Sequence, residues 1–289
     1  MVYLTFNGKF ISYQGGLMTS SVNSFPAPES PPTPPPTPPP PTGPEWSGIT
    51  VTNGLEIYLD AGASASYGGT GTTWSDLTTN NNDFTATNGP VIAADPSSTV
   101  FSSFDFDGVN DFFNAGDVGD IGTTDVTVAF WIKADTVSPT YQYVQSKSAT
   151  GNTASRFGCG LNQAAPFWFI MTNDPSDGTM IWTSNTNISA NTWVYLAFAT
   201  DREESEVNFW INGSSVSTSR NAAGEDLDRT EGDNINSTFD YLLGGTSDGR
   251  GSIQLPFNGH IAELHHYTRA ISSSEVLSNY NATKAKYGH

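Results

Sequence analysis

The chain has 289 residues, of which 29 are acidic and 11 basic, so its net charge is −18. Such a charge repels nucleic acid and anionic membrane surfaces, and no apolar run approaches the roughly 18 residues of a membrane helix. We therefore expect neither nucleic acid nor membrane as a partner. A single cysteine excludes an intramolecular disulfide.

Residues 1–25 combine strand-forming runs with turn residues. β-Branched and aromatic residues fill 2–6 and 9–13, and Asn7-Gly8 between them favours a two-residue hairpin turn. A lone hairpin is marginal in water, so we expect this segment to dock on another protein. Polar interruptions disfavour a signal peptide, and a disordered tail is the alternative. The expected docking side chains are Tyr3, Phe6, Phe10 and Tyr13.

Residues 26–45 form a proline-rich segment. The stretch 26–44 holds 12 of the 18 prolines. Proline fixes φ and lacks an amide donor, so this stretch enters neither a helix nor a sheet interior. It is expected to extend as polyproline II, at about 3.1 Å per residue, and to serve as a stalk.

Residues 46–289 have the pattern of one all-β domain. Asn-Gly and Asp-Gly turns separate short runs of β-branched and aromatic residues, and residues 126–133 alternate in the way a half-buried strand does. This predicts an antiparallel two-sheet β-sandwich. Ser272 and Glu275 form a capping-box pattern, which predicts a short C-terminal helix packed across the sandwich.

Nine runs of the chain occur in an order known from one family of domains. The runs are 54–62, 73–77, 104–113, 126–133, 191–198, 208–213, 241–245, 257–264 and 267–276. Their order resembles that of laminin-G-like, concanavalin A-like jelly-roll domains, in the version common in bacteriophage and bacterial surface proteins. The resemblance covers nearly all of residues 50–288 and implies surface recognition, often of carbohydrate, although the superfamily also contains glucanases and structural modules.

Acid–base and nucleophilic catalysis lack their usual residue patterns. Jelly-roll glucanases place alternating acids on one strand, and the nearest string here, residues 203–206, is expected to be a solvated turn. Cys159 between glycines is expected to be an inert core residue. His265 and His266 are adjacent on a predicted strand and must point to opposite faces, one packed and one exposed. We therefore predict that the protein is not an enzyme.

A calcium site is the expected cofactor site, if the protein has one. The loop that follows the FDFD run supplies carboxylate and amide oxygens at close spacing, which hard cations prefer. The family resemblance agrees, since related jelly rolls often carry calcium near loop ends. The same residue types also stabilise turns without any metal. The candidate ligands are Asp107, Asn110 and Asp111.

Aromatic side chains are the expected platforms for sugars. Trp131, Trp193 and Trp210 belong to strand runs and are expected to pack in the core or on a sheet face. The other three candidates lie nearer to loops or on strands of a concave face, where rings can stack on sugars. These glycan-binding candidates are Trp74, Trp168 and Trp182.

These features together predict a virion surface protein, either a fibre, a spike or a capsid decoration. Its N-terminal segment docks on another virion protein, and its jelly roll binds host cell-surface carbohydrate. A homo-oligomer is compatible with this arrangement, because many copies offset low affinity per head. Two alternatives stay open: a structural decoration without a ligand, and a bacterial surface adhesin or carbohydrate-binding accessory domain.

Overall fold

The computed structural model describes residues 3–6, 9–14, 17–19, 48–94, 102–150, 156–172, 178–220 and 234–289. The predicted proline stalk, 26–45, lies outside these residues. The chain divides into two compact units, Met1–Pro41 and Thr42–His289. Within the described residues, no helix has both the length and the apolar character needed to cross a membrane.

The N-terminal unit contains a three-stranded antiparallel sheet. Its strands are β1 (Tyr3–Phe6), β2 (Lys9–Gln14) and β3 (Leu17–Thr19), in the order β1-β2-β3. Phe6 of β1 pairs with Lys9 of β2, so the predicted hairpin is confirmed. The third strand extends it beyond the prediction. All four proposed docking residues fall on β1 and β2, and their docking role stays a prediction.

The larger unit is built around two antiparallel sheets. The first has eight strands, β4 (Leu55–Asp60), β7 (Val91–Ala94), β8 (Ser102–Asp107), β10 (Val126–Ala134), β15 (Val194–Asp201), β16 (Glu206–Ile211), β17 (Ser214–Val216) and β22 (Asn258–Tyr267). Their order is β17-β16-β15-β10-β22-β8-β7, and β4 pairs with β22 beside β8.

The second sheet has nine strands, β5 (Thr73–Trp74), β6 (Phe84–Thr87), β9 (Phe112–Asn114), β11 (Gln142–Lys147), β12 (Arg156–Asn162), β13 (Ala165–Met171), β14 (Met180–Ser184), β18 (Thr218–Arg220) and β19 (Tyr241–Leu243). Their order is β18-β14-β13-β12-β11-β19-β9-β6-β5. A two-stranded ribbon of β20 (Thr246–Ser247) and β21 (Ile253–Gln254) follows β19 in the chain.

The core lies between these two sheets. In β10, Val128 and Phe130 point into it, while Trp131 points to the opposite face, so the predicted alternation is confirmed. Trp168 of the nine-stranded sheet stacks on Phe198 of the eight-stranded sheet, with ring centroids 6.2 Å apart. Alternating apolar residues of both sheets thus bury each other, as in other sandwiches.

A C-terminal helix covers the outer face of the eight-stranded sheet. It is α1 (Ser273–Thr283), followed by a 3-10 helix (Lys284–Tyr287). Ser272 is the N-cap and forms the predicted capping box with Glu275. Trp131 lies beneath, stacked 4.0 Å from the ring of Tyr287. The predicted packing of the helix across the sandwich is therefore confirmed.

The two adjacent histidines of β22 point to opposite faces, as predicted, but neither is exposed. His265 lies on the outer face, where its Nε2 is 3.2 Å from the carboxylate of Glu263. His266 lies inside, with its Nδ1 3.1 Å from the hydroxyl of Tyr241. Both are fully buried, so the expectation of one exposed histidine is wrong. The C-terminal helix covers the face that a bare sheet would leave open to water.

Candidate functional site

The three tryptophans predicted to bind glycans lie in the core. Trp74 and Trp168 have no exposed surface, and Trp182 is 7% exposed. All three pack into the cluster between the sheets. A ring stacks on a sugar only when one of its faces is open to solvent, so the prediction of a platform from these rings is wrong. By contrast, Trp131, Trp193 and Trp210 pack beneath the C-terminal helix, as expected of sheet-face residues.

The carboxylates of the candidate calcium loop hold the loop's own backbone. Asp107 Oδ1 accepts hydrogen bonds from the amides of Val109, at 2.8 Å, and Asn110, at 3.3 Å. Asp111 Oδ2 accepts from the amide of Asp107 at 3.1 Å. Burial, together with the nearby charges of Asp107 and Asp105, raises the pKa of Asp111. These bonds are those of a turn, and calcium binding by Asp107, Asn110 and Asp111 stays a prediction.

The other candidates for chemistry are structural. Residues 202–205 form the turn between β15 and β16, with exposed acidic side chains at 203 and 204, as predicted, whereas Glu206 already begins β16. Cys159 is free and buried, and burial raises the pKa of its thiol well above the usual value. A buried neutral thiol is a poor nucleophile.

A cleft of about 370 Å³ lies on the outer face of the nine-stranded sheet. Its floor comes from β9 and β19, which pair so that Leu242 is opposite Asn114. The neighbours Phe113, Tyr241 and Leu243 point into the core, so the alternate residues point outward into the cleft. The volume falls within the range of roughly 300–1,000 Å³ typical of small-molecule sites. We call this surface the cleft face. The lining residues are Phe112, Asn114, Thr238, Phe239, Asp240, Leu242, Ser247, Gly249, Gly251, Ser252 and Ile253.

One part of the cleft lining is the glycine-rich segment 247–253, which contains the turn between β20 and β21. Asp248 Oδ1 accepts hydrogen bonds from the amides of Ser252, at 2.9 Å, and Arg250, at 2.7 Å. These bonds lower the pKa of Asp248. Gly249 and Gly251 have φ of 72° and 97°, which favours glycine because it lacks a Cβ. The loop is thus held in one shape by its own side chain and glycines.

Another part of the lining is the segment 238–240, which a buried lysine supports. Lys147 has a fully buried side chain, and its Nζ donates to the carbonyl of Phe239 at 3.0 Å. The same ammonium pairs with the carboxylates of Asp117 and, at 3.2 Å, Asp120. A buried charge that is paired on several sides fixes its neighbours. Lys147 therefore holds the backbone that carries the ring of Phe239.

The cleft combines aromatic rings with polar groups. Phe112 and Phe239 are partly exposed, and the Asn114 amide donates to Asp240 Oδ2 at 2.8 Å. Amide and carboxylate side chains next to apolar rings suit a ligand with both hydroxyl groups and apolar faces. Among the described lining residues Asp240 is the one carboxylate, whereas glycoside hydrolysis ordinarily uses a pair. The arrangement is suited to binding.

The cleft residues were not found by the sequence prediction. They come from two regions of the chain separated by more than a hundred residues, 112–114 and 238–253. The glycine-rich run GGTSDGRGS, residues 244–252, is a signal that could have indicated a shaped loop. The pairing of β9 with β19 brings this glycine-rich run close to the segment FDFDGVNDFFN, residues 104–114. No local sequence pattern predicts that pairing.

The fold is a two-sheet antiparallel jelly roll of the lectin-like class, with a cleft on one outer face. A family model described as the concanavalin A-like lectin/glucanases superfamily matches residues 107–277. The chain belongs to this superfamily, which confirms the predicted family and fold. A comparison with curated proteins gives no significant match.

Solved structures with the same fold are distant in sequence. The binding domain of Paraclostridial Mosquitocidal Protein 1 superposes with a TM-score of 0.57 at 13% identity, covering 79% of this chain and 52% of that one. Domain 4 of AbnA, an extracellular arabinanase from Geobacillus stearothermophilus, in complex with arabinotriose, gives 0.52 at 17%, covering 78% and 98%. The ligand-binding domain of botulinum neurotoxin serotype D with N-acetylneuraminic acid gives 0.52 at 13%, covering 79% and 50%. The chain thus spans about half the length of the two toxin domains.

Proposed function

We propose that the jelly roll binds carbohydrate in the cleft between β9, β19 and the 247–253 loop. The observation that carries this proposal is the pairing of partly exposed rings, Phe112 and Phe239, with the hydrogen-bonded Asn114 and Asp240. Sugars present apolar C–H faces to rings and hydroxyls to amides and carboxylates. The solved relatives support the proposal, since two of them contain a sugar ligand, arabinotriose or N-acetylneuraminic acid.

The charge of the molecule favours neutral glycans over anionic ones. The net charge is −18, and the carboxylate of Asp240 lies within the cleft. An anionic sugar would approach against this field, whereas a neutral one would not. The carboxylate then accepts hydrogen bonds from sugar hydroxyls, and charge-assisted bonds of that kind are stronger than neutral ones.

Binding proceeds without catalysis in this proposal. Hydrolysis of a glycosidic bond ordinarily needs two carboxyl groups roughly 5–10 Å apart, on either side of the bond. Asp240 has no such partner among the described residues that line the cleft. The protein therefore holds a glycan and releases it unchanged.

The biological setting we propose is the surface of a virion. The three-stranded sheet of β1–β3 is too small for a core of its own, which suits a segment that gains burial by docking on another virion protein. The proline-rich stretch then projects the jelly roll toward host surface glycans. Many copies would offset a weak single site. Deleting residues 1–25 should abolish incorporation into particles, and unchanged incorporation would contradict docking.

A glycan array tests the binding proposal. The full chain should bind a set of neutral glycans, and Phe239→Ala should lower that binding by about tenfold or more, since hot-spot aromatic truncations exceed roughly 1.4 kcal/mol. Leu255→Ala, an exposed residue outside the cleft, is the matched control. Running the array with and without calcium tests the loop at Asp107, Asn110 and Asp111. No binding under either condition would favour a structural decoration without a ligand.

The location of the native protein distinguishes a virion protein from a bacterial surface protein. Fractionation of native material should place the protein in virions. Recovery in the cell envelope instead would support the bacterial adhesin or accessory domain.

A further inference from the structure

Three side chains with metal-ligand chemistry meet on the outer face of the eight-stranded sheet, away from the cleft. His260 Nε2 lies 3.7 Å from Asp135 Oδ1 and 3.9 Å from Asp105 Oδ1. The three ligand atoms all lie within 4.8 Å of one another. This is the one such group of His, Cys, Asp and Glu found among the described residues.

The strand register brings the three residues together. His260 of β22 pairs directly with Asp105 of β8 on one side and with Lys133 of β10 on the other. Asp135 follows the end of β10, and its amide donates to the carbonyl of Asn258 at 3.0 Å. The positions of the backbones are therefore fixed by the sheet itself. Sites built on strands hold their ligands with more precision than sites on loops.

The imidazole of His260 is oriented for this role. Its Nδ1 lies 3.3 Å from the hydroxyl of the buried Ser103, while Nε2 faces the two carboxylates. In metal sites the second ring nitrogen of a ligating histidine ordinarily has such a polar partner, which fixes the tautomer and the ring. The histidine side chain is 14% exposed, and the two carboxylates are 47% and 40% exposed. An ion can thus enter and keep water ligands.

We propose that Asp105, Asp135 and His260 bind a divalent transition-metal ion, with Zn²⁺ as the first candidate. Three atoms at these separations surround a point about 2.1–2.5 Å from each, close to the roughly 2.0–2.2 Å bonds of zinc. An imidazole ligand selects transition metals, whereas calcium takes oxygen ligands. The three ligands differ from the residues of the candidate calcium loop, whose carboxylates hold the turn at Asp107.

The fluorescence of a neighbouring tryptophan can report metal binding at this site. The ring of Trp193 lies 6.2 Å from the imidazole of His260. A bound Co²⁺ ion would lie close enough to this indole to quench its fluorescence. Because the chain has seven tryptophans, the change is assigned by comparison with Trp193→Phe.

The test is calorimetric titration of the full chain with Zn²⁺, prepared without a polyhistidine tag. We expect one Zn²⁺ per chain, and at least a tenfold loss of affinity in His260→Gln and in Asp135→Asn, since even outer partners of metal ligands contribute about 10–100-fold. Glu204→Gln, an exposed acid in the turn before β16, should bind as the unaltered protein does. Co²⁺ should quench fluorescence in the unaltered protein and lose that effect in Trp193→Phe.

Melting temperatures distinguish a loss of Zn²⁺ binding from a loss of folding. Zn²⁺ should raise the melting temperature of the unaltered protein and leave that of Asp135→Asn unchanged, because a ligand stabilises only the state it binds. Asp135 is 40% exposed and follows its strand, so this variant should fold. Three results would each overturn the proposal: equal Zn²⁺ affinity in the unaltered protein and Asp135→Asn, no Zn²⁺ binding at all, or Ca²⁺ binding as tight as Zn²⁺ binding. If no Zn²⁺ binds, the three residues only contact one another.

Discussion

The two outer faces of the sandwich differ in what lies over them. The face of the eight-stranded sheet carries Trp131, Tyr195 and Glu263, all fully buried under or beside the C-terminal helix. The face of the nine-stranded sheet carries the cleft, with partly exposed rings and a glycine-rich wall. Both faces are built by the same alternation along strands. The chemistry of the outward residues therefore decides which face supports the helix and which can receive a glycan.

The covered face contains a network of buried charges as well as rings. Lys286 Nζ donates to Asp60 Oδ2 at 2.9 Å and to Glu263 Oε1 at 3.0 Å, and the hydroxyl of Tyr287 donates to the same Oε1 at 2.8 Å. Burial acts to raise the pKa of Glu263, but the charge of Lys286 and the hydrogen bond with His265 outweigh it and lower that pKa. Carboxylates buried in this way stay ionised only while their partners remain.

Truncation of the central ring of the covered face should have the largest effect. Trp131→Ala removes a fully buried side chain that stacks on Tyr287 and donates to Thr283, so we expect a loss of about 3–5 kcal/mol in unfolding free energy. Urea denaturation measures it. Glycan affinity per folded molecule should not change. A loss below about 1 kcal/mol would show that the helix does not stabilise this face.

Removal of the buried ammonium should come next. Lys286→Met leaves the carboxylates of Asp60 and Glu263 without their cation, which should cost about 3 kcal/mol of stability. Because uncompensated charge causes the loss, adding Asp60→Asn should restore part of it. Equal stability of the single and double variants in urea would argue against the network.

A histidine on the inner face of β22 should make the stability of the protein depend on pH. Burial and the charge of Lys147 lower the pKa of His266 from about 6.5 to about 3. The unfolded chain thus binds a proton that the folded chain does not between these values, and stability should fall by about 1.4 kcal/mol per pH unit as pH falls from 6.5. His266→Phe should flatten this slope in urea titrations. An unchanged slope would show that other titratable groups cause the pH dependence of stability.

The N-terminus of the helix should give the smallest effect. Hydrogen bonding from Arg269, with help from Ser272, lowers the pKa of Glu275 to about 2. Glu275→Gln should cost about 1 kcal/mol. The contribution of the carboxylate is present above its usual pKa of 4.5 and is lost as pH falls toward 2. Thermal denaturation at pH 7 should therefore give a lower melting temperature for Glu275→Gln than for the unaltered protein. At pH 2 the two melting temperatures should be equal.

Local patterns predicted the covered face better than the cleft face. The capping box at Ser272 and the alternation in β10 depend on neighbours in sequence, and both are confirmed. Trp74 and Trp168 are predicted to lie near loops or on a concave face, yet they lie between the two sheets. Alternation along a strand does not say which of its sides faces the core. The cleft depends on the pairing of Asn114 with Leu242, a contact between distant segments that no local pattern encodes.

The decisive measurement is glycan binding by the full chain compared with Phe239→Ala and Trp131→Phe. The account predicts that Phe239→Ala lowers affinity by about tenfold or more at unchanged stability. Trp131→Phe, on the opposite face, should lower stability at unchanged affinity. Equal glycan affinity of the unaltered protein and Phe239→Ala would contradict the assignment of the cleft as the binding site.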